Sequence, residues 1–292
     1  MRGLSKQQAN LLLVMITIVW GSSYIFMKLG LDSLAPFTFT AWRFGIAFVI
    51  IALLLYRKLH HTTFKVIGYS MILGFVLAVI FVSLLYGMRT TDVSTSGFLV
   101  STTVIIVPLL QAIIYRVWPS KNVQIGVVFV TLGLALLTLK DELSISLGAI
   151  LCLCTALFNA IYMVLTNMLV KQVDSIQLGV YQLFFTALFT SFGMIFFETP
   201  SIPSSQIEWL SLLGLAILCT AFGFVMQPIA LKYTSANNAG FIFSLEPIFA
   251  SILAAIIFHE NIGIQGYIGS LIILIGVFIA ISNFKPRTIL IY

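Results

Sequence analysis

Apolar runs long enough to cross a bilayer recur along this chain, with only short connections between them. Requiring about twenty mostly apolar residues per crossing gives ten candidates, at 10–29, 36–56, 66–87, 94–117, 123–139, 147–169, 177–197, 209–231, 237–258 and 263–283. With 60% hydrophobic and only 8% charged residues, the chain lies outside the range of soluble domains and inside that of polytopic helical membrane proteins. No strand-length alternation supports a barrel. The first run is too long for a removed signal peptide and lacks a small-residue cleavage site, so it is expected to stay as a span. The longest connection, 198–208 (ETPSIPSSQIE), is rich in Pro and Ser and reads as an exposed loop.

Basic residues in the short loops set orientation. With the N-terminus inside, the cytoplasmic segments carry Arg2, Lys6, Arg57, Lys58, Lys65, Arg116, Lys121, Lys171, Lys232, Lys285 and Arg287. The other side keeps Lys28, Arg89 and Lys140, and Arg43 falls within the second span. Both termini are therefore expected in the cytoplasm of a multi-pass protein of the cell (plasma or inner) membrane. The net charge of +6 reads as topology rather than as affinity for nucleic acid.

An internal repeat divides the chain. Residues 91–98 (TDVSTSGF) lie over 234–241 (TSANNAGF) without a gap, at an offset of 143 residues. The same offset pairs Arg89 with Lys232, Ser101 with Ser244, Gly126 with Gly269 and Gly133 with Gly276. Each half, 1–143 and 144–292, then holds five spans, and an odd number inserts the second copy upside down. The expected fold is an all-α membrane protein: ten transmembrane helices as two inverted five-helix repeats in one transmembrane domain.

Chemistry concentrates where spans are interrupted. Glu246 sits in the middle of an apolar run beside Pro247. Ionisable groups inside a span are costly and mark a pathway, a partner or a proton site. Glu246 could take a proton or meet a substrate amine; the plain alternative is a carboxylate that fixes helix packing. Pro108, Pro228 and Pro247 are candidate kinks or hinges, since each removes a backbone donor. A second group, Trp20, Tyr24, Tyr86, Phe98, Asn159, Tyr162, Gln182, Gln227, Asn238 and Phe241, are candidate walls of a substrate cavity, because amides cannot face lipid cheaply and pockets set a few polar groups among apolar ones. Tyr24 and Tyr162 pair at an offset of 138 residues, which favours a shared wall. Arg43 could pair with Glu246 or with a substrate carboxylate, and snorkelling to the nearer surface is the preferred expectation.

Other features point to packing or solvation. Cys152, Cys154 and Cys219 all lie in apolar segments, without the spacing of a redox or metal motif. His60-His61 and His259-Glu260 lack further ligands nearby. There is no GxxxxGK[ST], nucleophile elbow or HExxH, so neither ATP-driven chemistry nor a metal or other cofactor is expected.

Several segments carry a family resemblance: Trp20-Gly-Ser-Ser-Tyr-Ile-Phe, Ala41-Trp-Arg-Phe, Leu245-Glu-Pro-Ile-Phe-Ala and Phe258-His-Glu. They resemble the EamA-type members of the drug/metabolite transporter superfamily, over essentially the whole chain. The resemblance implies ten helices in inverted repeats, a central cavity, and export of amino acids or other small metabolites. One departure is visible: where the family's first half often has a glycine and a glutamate after span four, this chain has Tyr115-Arg-Val-Trp-Pro.

The expectation is a non-enzymatic secondary transporter that exports uncharged or zwitterionic solutes through a central cavity by alternating access. Its partners would be a small-molecule substrate and the bilayer, with no nucleic acid, and a monomer is the working expectation. A nucleotide-sugar carrier and a membrane-embedded enzyme on lipid-linked substrates stay open as alternatives.

Overall fold

The computed structural model describes residues 4–23, 26, 34–91, 93–138, 146–259 and 263–282, and among them every regular element is helical. Local signals set the helix starts. Helix α1 (Lys6–Gly21) opens on a capping box, in which Ser5 accepts from the Gln8 N–H and Gln8 accepts from the Ser5 N–H. Helix α2 (Pro36–Leu54) has Pro36 in its first turn, where the missing N–H costs nothing. A single turn, α3 (Tyr56–Leu59), leads to α4 (Phe64–Met88), capped by Thr63. Next come α5 (Val93–Ser101), α6 (Thr103–Tyr115) and α7 (Lys121–Thr138).

The second half begins with α8 (Leu147–Leu169), capped by Ser146, and α9 (Ser175–Phe197), capped by Asp174. Helix α10 (Gln206–Gly214), a π-helical segment (Leu215–Phe222) and α11 (Gly223–Leu231) follow one another without a break. Helices α12 (Ala236–Phe243), α13 (Glu246–Phe258) and α14 (Gly263–Ser282) complete the chain.

Nine helices among the described residues are long and apolar enough to cross a membrane. The tenth expected run, 10–29, is described as α1 only to Gly21, and most of its remainder lies outside the described residues. Caps shift some expected boundaries: Asp174 starts α9 two residues before position 177, and Ser205 starts α10 three before 209. The segment 198–208 is consequently not a plain exposed loop. Glu198 reaches back to the start of α2, accepting hydrogen bonds from the Phe37 N–H (2.9 Å), the Thr38 N–H (2.8 Å) and the Thr38 hydroxyl (2.9 Å). A carboxylate at a helix N-terminus satisfies orphan donors and meets the positive end of the dipole.

Large apolar side chains point outward along the bundle, for example Leu53, Ile113, Phe197, Ile256 and Phe278, as suits a protein solvated by lipid. Inside, α4 packs against α8 and α9, α2 against α9, and α1 against α11, α12 and α13. The most extensive packing joins α7 and α14. A Cβ on Gly133 would stand 2.7 Å from the Gly269 carbonyl oxygen, and one on Gly269 would stand 2.6 Å from that of Gly133. Gly126 faces the Gly276 carbonyl in the same way, at 2.9 Å. The two helices therefore run antiparallel with their backbones touching, an approach that only small residues permit.

Two crossing segments are interrupted. Helices α5 and α6 are separated by one turn residue, Thr102, and α12 and α13 by Ser244 and Leu245. Pro108 lies inside α6 and Pro228 inside α11. Pro247, by contrast, is the second residue of α13, so it starts a helix rather than kinking one. Helices α6 and α13 both end on a residue of left-handed backbone, Arg116 (φ 53°) and His259 (φ 54°), 143 positions apart.

Candidate functional site

Trp20 and Ser23 from the α1 region, Arg43 from α2 and Phe81 from α4 line one cavity, together with Leu77, Ile80, Leu84, Leu85 and Met88 on α4. Ser96, Gly97 and Val100 on α5, Thr155 and Asn159 on α8, Phe224 on α11 and Glu246 on α13 close the ring. Both halves of the chain thus supply the wall.

The π-helical segment holds one side of it. Its wider turn leaves the Cys219 carbonyl free to accept from Trp20 Nε1 at 2.8 Å, and Cys219 Sγ donates to the Val19 carbonyl at 3.3 Å. The next residue, Thr220, accepts from Arg43 Nε at 2.6 Å. Insertions of this kind recur at functional sites because they aim groups that a regular helix keeps in its own ladder. Phe224 sits one turn beyond. Its ring centroid is 5.1 Å from that of Trp20, 5.7 Å from Phe81, 5.8 Å from Phe44 and 6.1 Å from Tyr162. The result is an aromatic floor.

Arg43 does not snorkel. It is 4% exposed, and its guanidinium lies 4.7 Å from the Phe81 ring centroid and 5.8 Å from that of Phe44. The depth of α2 at this position puts the surface out of reach, and the aromatic rings with Thr220 give the cation a substitute for water. Glu246 lines the same cavity, yet among the described residues no ion pair within 4.0 Å joins the two. Ser96 is 1% exposed, and its hydroxyl lies beside the Cys152 thiol.

Of the residues singled out from sequence, Trp20, Asn159 and Glu246 line this cavity, and Tyr24 lies outside the described residues. The others serve packing nearby. Tyr86 donates to Glu198 Oε1 at 3.1 Å at the end of α4. Phe98 packs against Leu99, Ala149 and Cys152. Tyr162 is fully buried and donates to Gln182 Oε1 at 3.1 Å, while Gln182 Nε2 donates to the Phe224 carbonyl at 2.8 Å. Gln227 is 1% exposed, with its Oε1 unpartnered among the described residues. Asn238 donates through Nδ2 to Thr234 Oγ1, and Thr234 in turn donates to Asn10 Oδ1. Asn167 joins the same cluster, donating to the Leu231 and Thr234 carbonyls at 2.8 Å each. Phe241 is buried between α7 and α14.

Sequence reasoning passed over Thr220, Ser96 and Phe224 as site residues, and for Arg43 it preferred snorkelling over a role in the site. The signal for Arg43 was its place as the basic residue that falls well inside a span. Cys152 and Cys219 are buried free thiols and Cys154 is half-buried. Among the described residues no group of three or more His, Cys, Asp or Glu could hold a metal ion.

Comparison with known proteins sets this geometry in context. The model of the EamA-like transporter family matches residues 7–139 and again 146–282. An uncharacterized transporter of Archaeoglobus fulgidus is 28% identical over 279 residues, spanning 95% of this chain and 87% of that one. The uncharacterized transporter YoaV of Bacillus subtilis is 27% identical over 291 residues, spanning 95% and 98%. A solved structure described only as a crystal structure of a protein superposes with a TM-score of 0.81 at 16% identity. It covers 95% of this chain and 98% of its own, a likeness of fold alone.

Proposed function

The chain belongs to the EamA-like transporter family, and from that premise we propose that this multi-pass membrane transporter is an exporter of small uncharged or zwitterionic metabolites such as amino acids. It works as a secondary transporter by alternating access. Ten helices form two inverted five-helix repeats, 1–143 and 144–292, and their rocking opens the shared cavity to each side in turn. Both termini face the cytoplasm in the cell membrane, and the working unit is the monomer.

The observation that carries this reading is a cavity walled by both halves, with Arg43, Glu246 and Asn159 set among Trp20, Phe81 and Phe224. A few polar groups in an aromatic wall suit a small solute with polar ends. Among the described residues one basic side chain lines that wall, whereas the phosphates of a nucleotide sugar call for several. Glu246 supplies the group through which protons could couple to the solute.

Reconstitution of the full chain into liposomes tests the proposal, using labelled amino acids and other small metabolites with and without a pH gradient. Movement of at least one such solute, lost in Glu246→Gln protein that still folds, is the expected result. Failure of every solute in the panel to cross overturns the export reading. Uptake of every carried solute that ignores the pH gradient removes the proton.

A further inference from the structure

We infer that Arg43 is the specificity-determining residue of the cavity, that it binds the carboxylate of the transported solute, and that Thr220 on the π-helical segment is its positioning residue. This inference rests on the transport reading and narrows it: the cavity selects solutes that carry a carboxylate over those that do not.

A guanidinium stays charged in proteins and offers five N–H donors in a planar fork. Here one hydrogen bond is recorded, from Nε to Thr220 Oγ1 at 2.6 Å, while the side chain is 4% exposed. A buried charge with most of its donors unmet is expensive unless an anion answers it. Glu246 lies on the same wall, yet no ion pair within 4.0 Å links it to Arg43 among the described residues. The protein therefore keeps its two opposite charges apart across a space that a solute can enter.

The fork is also aimed. Thr220 occupies Nε, and the Phe81 ring lies 4.7 Å from the guanidinium carbon. These contacts fix the guanidinium plane, leaving its two terminal nitrogens for the paired oxygens of a carboxylate, the bidentate geometry that arginine favours. Ser96 adds a buried hydroxyl on the cavity wall, beside the Cys152 thiol. Thr220 can serve in this way because the π-helical turn presents it to α2 while the preceding Cys219 carbonyl holds Trp20.

The test separates binding from transport. Purified full-length protein in detergent is melted with phenylalanine, leucine or threonine as probe, each set beside its amide, which keeps the amine and side chain but loses the carboxylate. The same pairs are then offered to proteoliposomes. At least one acid is expected to bind about tenfold or more tightly than its amide, as befits a charge-assisted pair. Arg43→Gln should erase that preference. Thr220→Val should weaken it, and Thr220→Ser should restore it.

If Arg43→Gln protein does not accumulate, the Thr220 pair alone decides, since a merely structural role would not change the ratio of acid to amide. Acid and amide binding equally to the wild type overturns the inference, as does an unchanged ratio in the variants or no melting shift from any acid. Carboxylate-dependent binding without translocation sinks the transport reading and leaves Arg43 as the carboxylate site.

Discussion

The two interrupted spans occupy the same register of the repeat and are built to different ends. At an offset of 143, Thr103 in the first stands where Glu246 stands in the second, each as the first residue of the helix after the break. Thr103 turns its hydroxyl to backbone, donating to the Val100 carbonyl at 2.7 Å and to that of Ala156 on α8 at 3.2 Å. Glu246 accepts no hydrogen bond among the described residues and faces the cavity. One break is closed upon the protein, the other left open to a solute. A duplicated frame can thus keep its geometry in one copy and spend the equivalent position on chemistry in the other.

The largest expected effect comes from exchanging the two residue types. Thr103→Glu buries an uncompensated carboxylate against α8 and should cost on the order of 3 kcal/mol or more, read as loss of folded protein in detergent melting. Glu246→Thr should leave the fold in place while lowering transport about tenfold to a hundredfold, read in proteoliposomes. Similar fold and similar transport in both variants would erase the distinction.

A smaller effect is expected from Thr103→Val, which removes the hydroxyl from two backbone acceptors at a cost of about 1 kcal/mol and should leave transport intact. The prolines sharpen the contrast further. Pro108 lies inside α6, whereas Pro247 opens α13. Pro247→Ala should therefore change stability by less than about 1 kcal/mol, and Pro108→Ala by more, since only the interior position disturbs a helical ladder. Denaturant titration in detergent checks both.

The smallest difference concerns the far ends, where the two spans agree. Arg116→Gly and His259→Gly should each stabilise by about 1 kcal/mol, because glycine adopts the left-handed backbone there without steric cost. A gain at one site and a loss at the other would show that the two ends are not equivalent.

Hydropathy made the helices legible because the solvent is lipid: every crossing must be apolar and must close its own hydrogen bonds. What it could not supply was which side chain meets which. Gln182, Asn238 and Tyr162 looked like cavity residues because amides and phenols avoid lipid, but their polar atoms are engaged inside the bundle, at Phe224, Thr234 and Gln182. Arg43 looked like a surface anchor because its partner, Thr220, is 177 residues away on a turn whose π-helical form leaves no mark in residue type. Glu198 seemed to be a loop acid for the same reason, since the N–H groups it satisfies belong to α2. The glycines that the repeat matches by register, Gly126 with Gly269 and Gly133 with Gly276, meet crosswise in space: Gly126 meets Gly276 and Gly133 meets Gly269, so each faces the counterpart of the other.

That crossed arrangement makes α7 and α14 a mast rather than a moving part. Backbones already in contact cannot slide past one another without steric collision, so the pair is expected to hold together as one rigid unit. Tying the two together with a short chemical bridge should therefore leave transport unchanged.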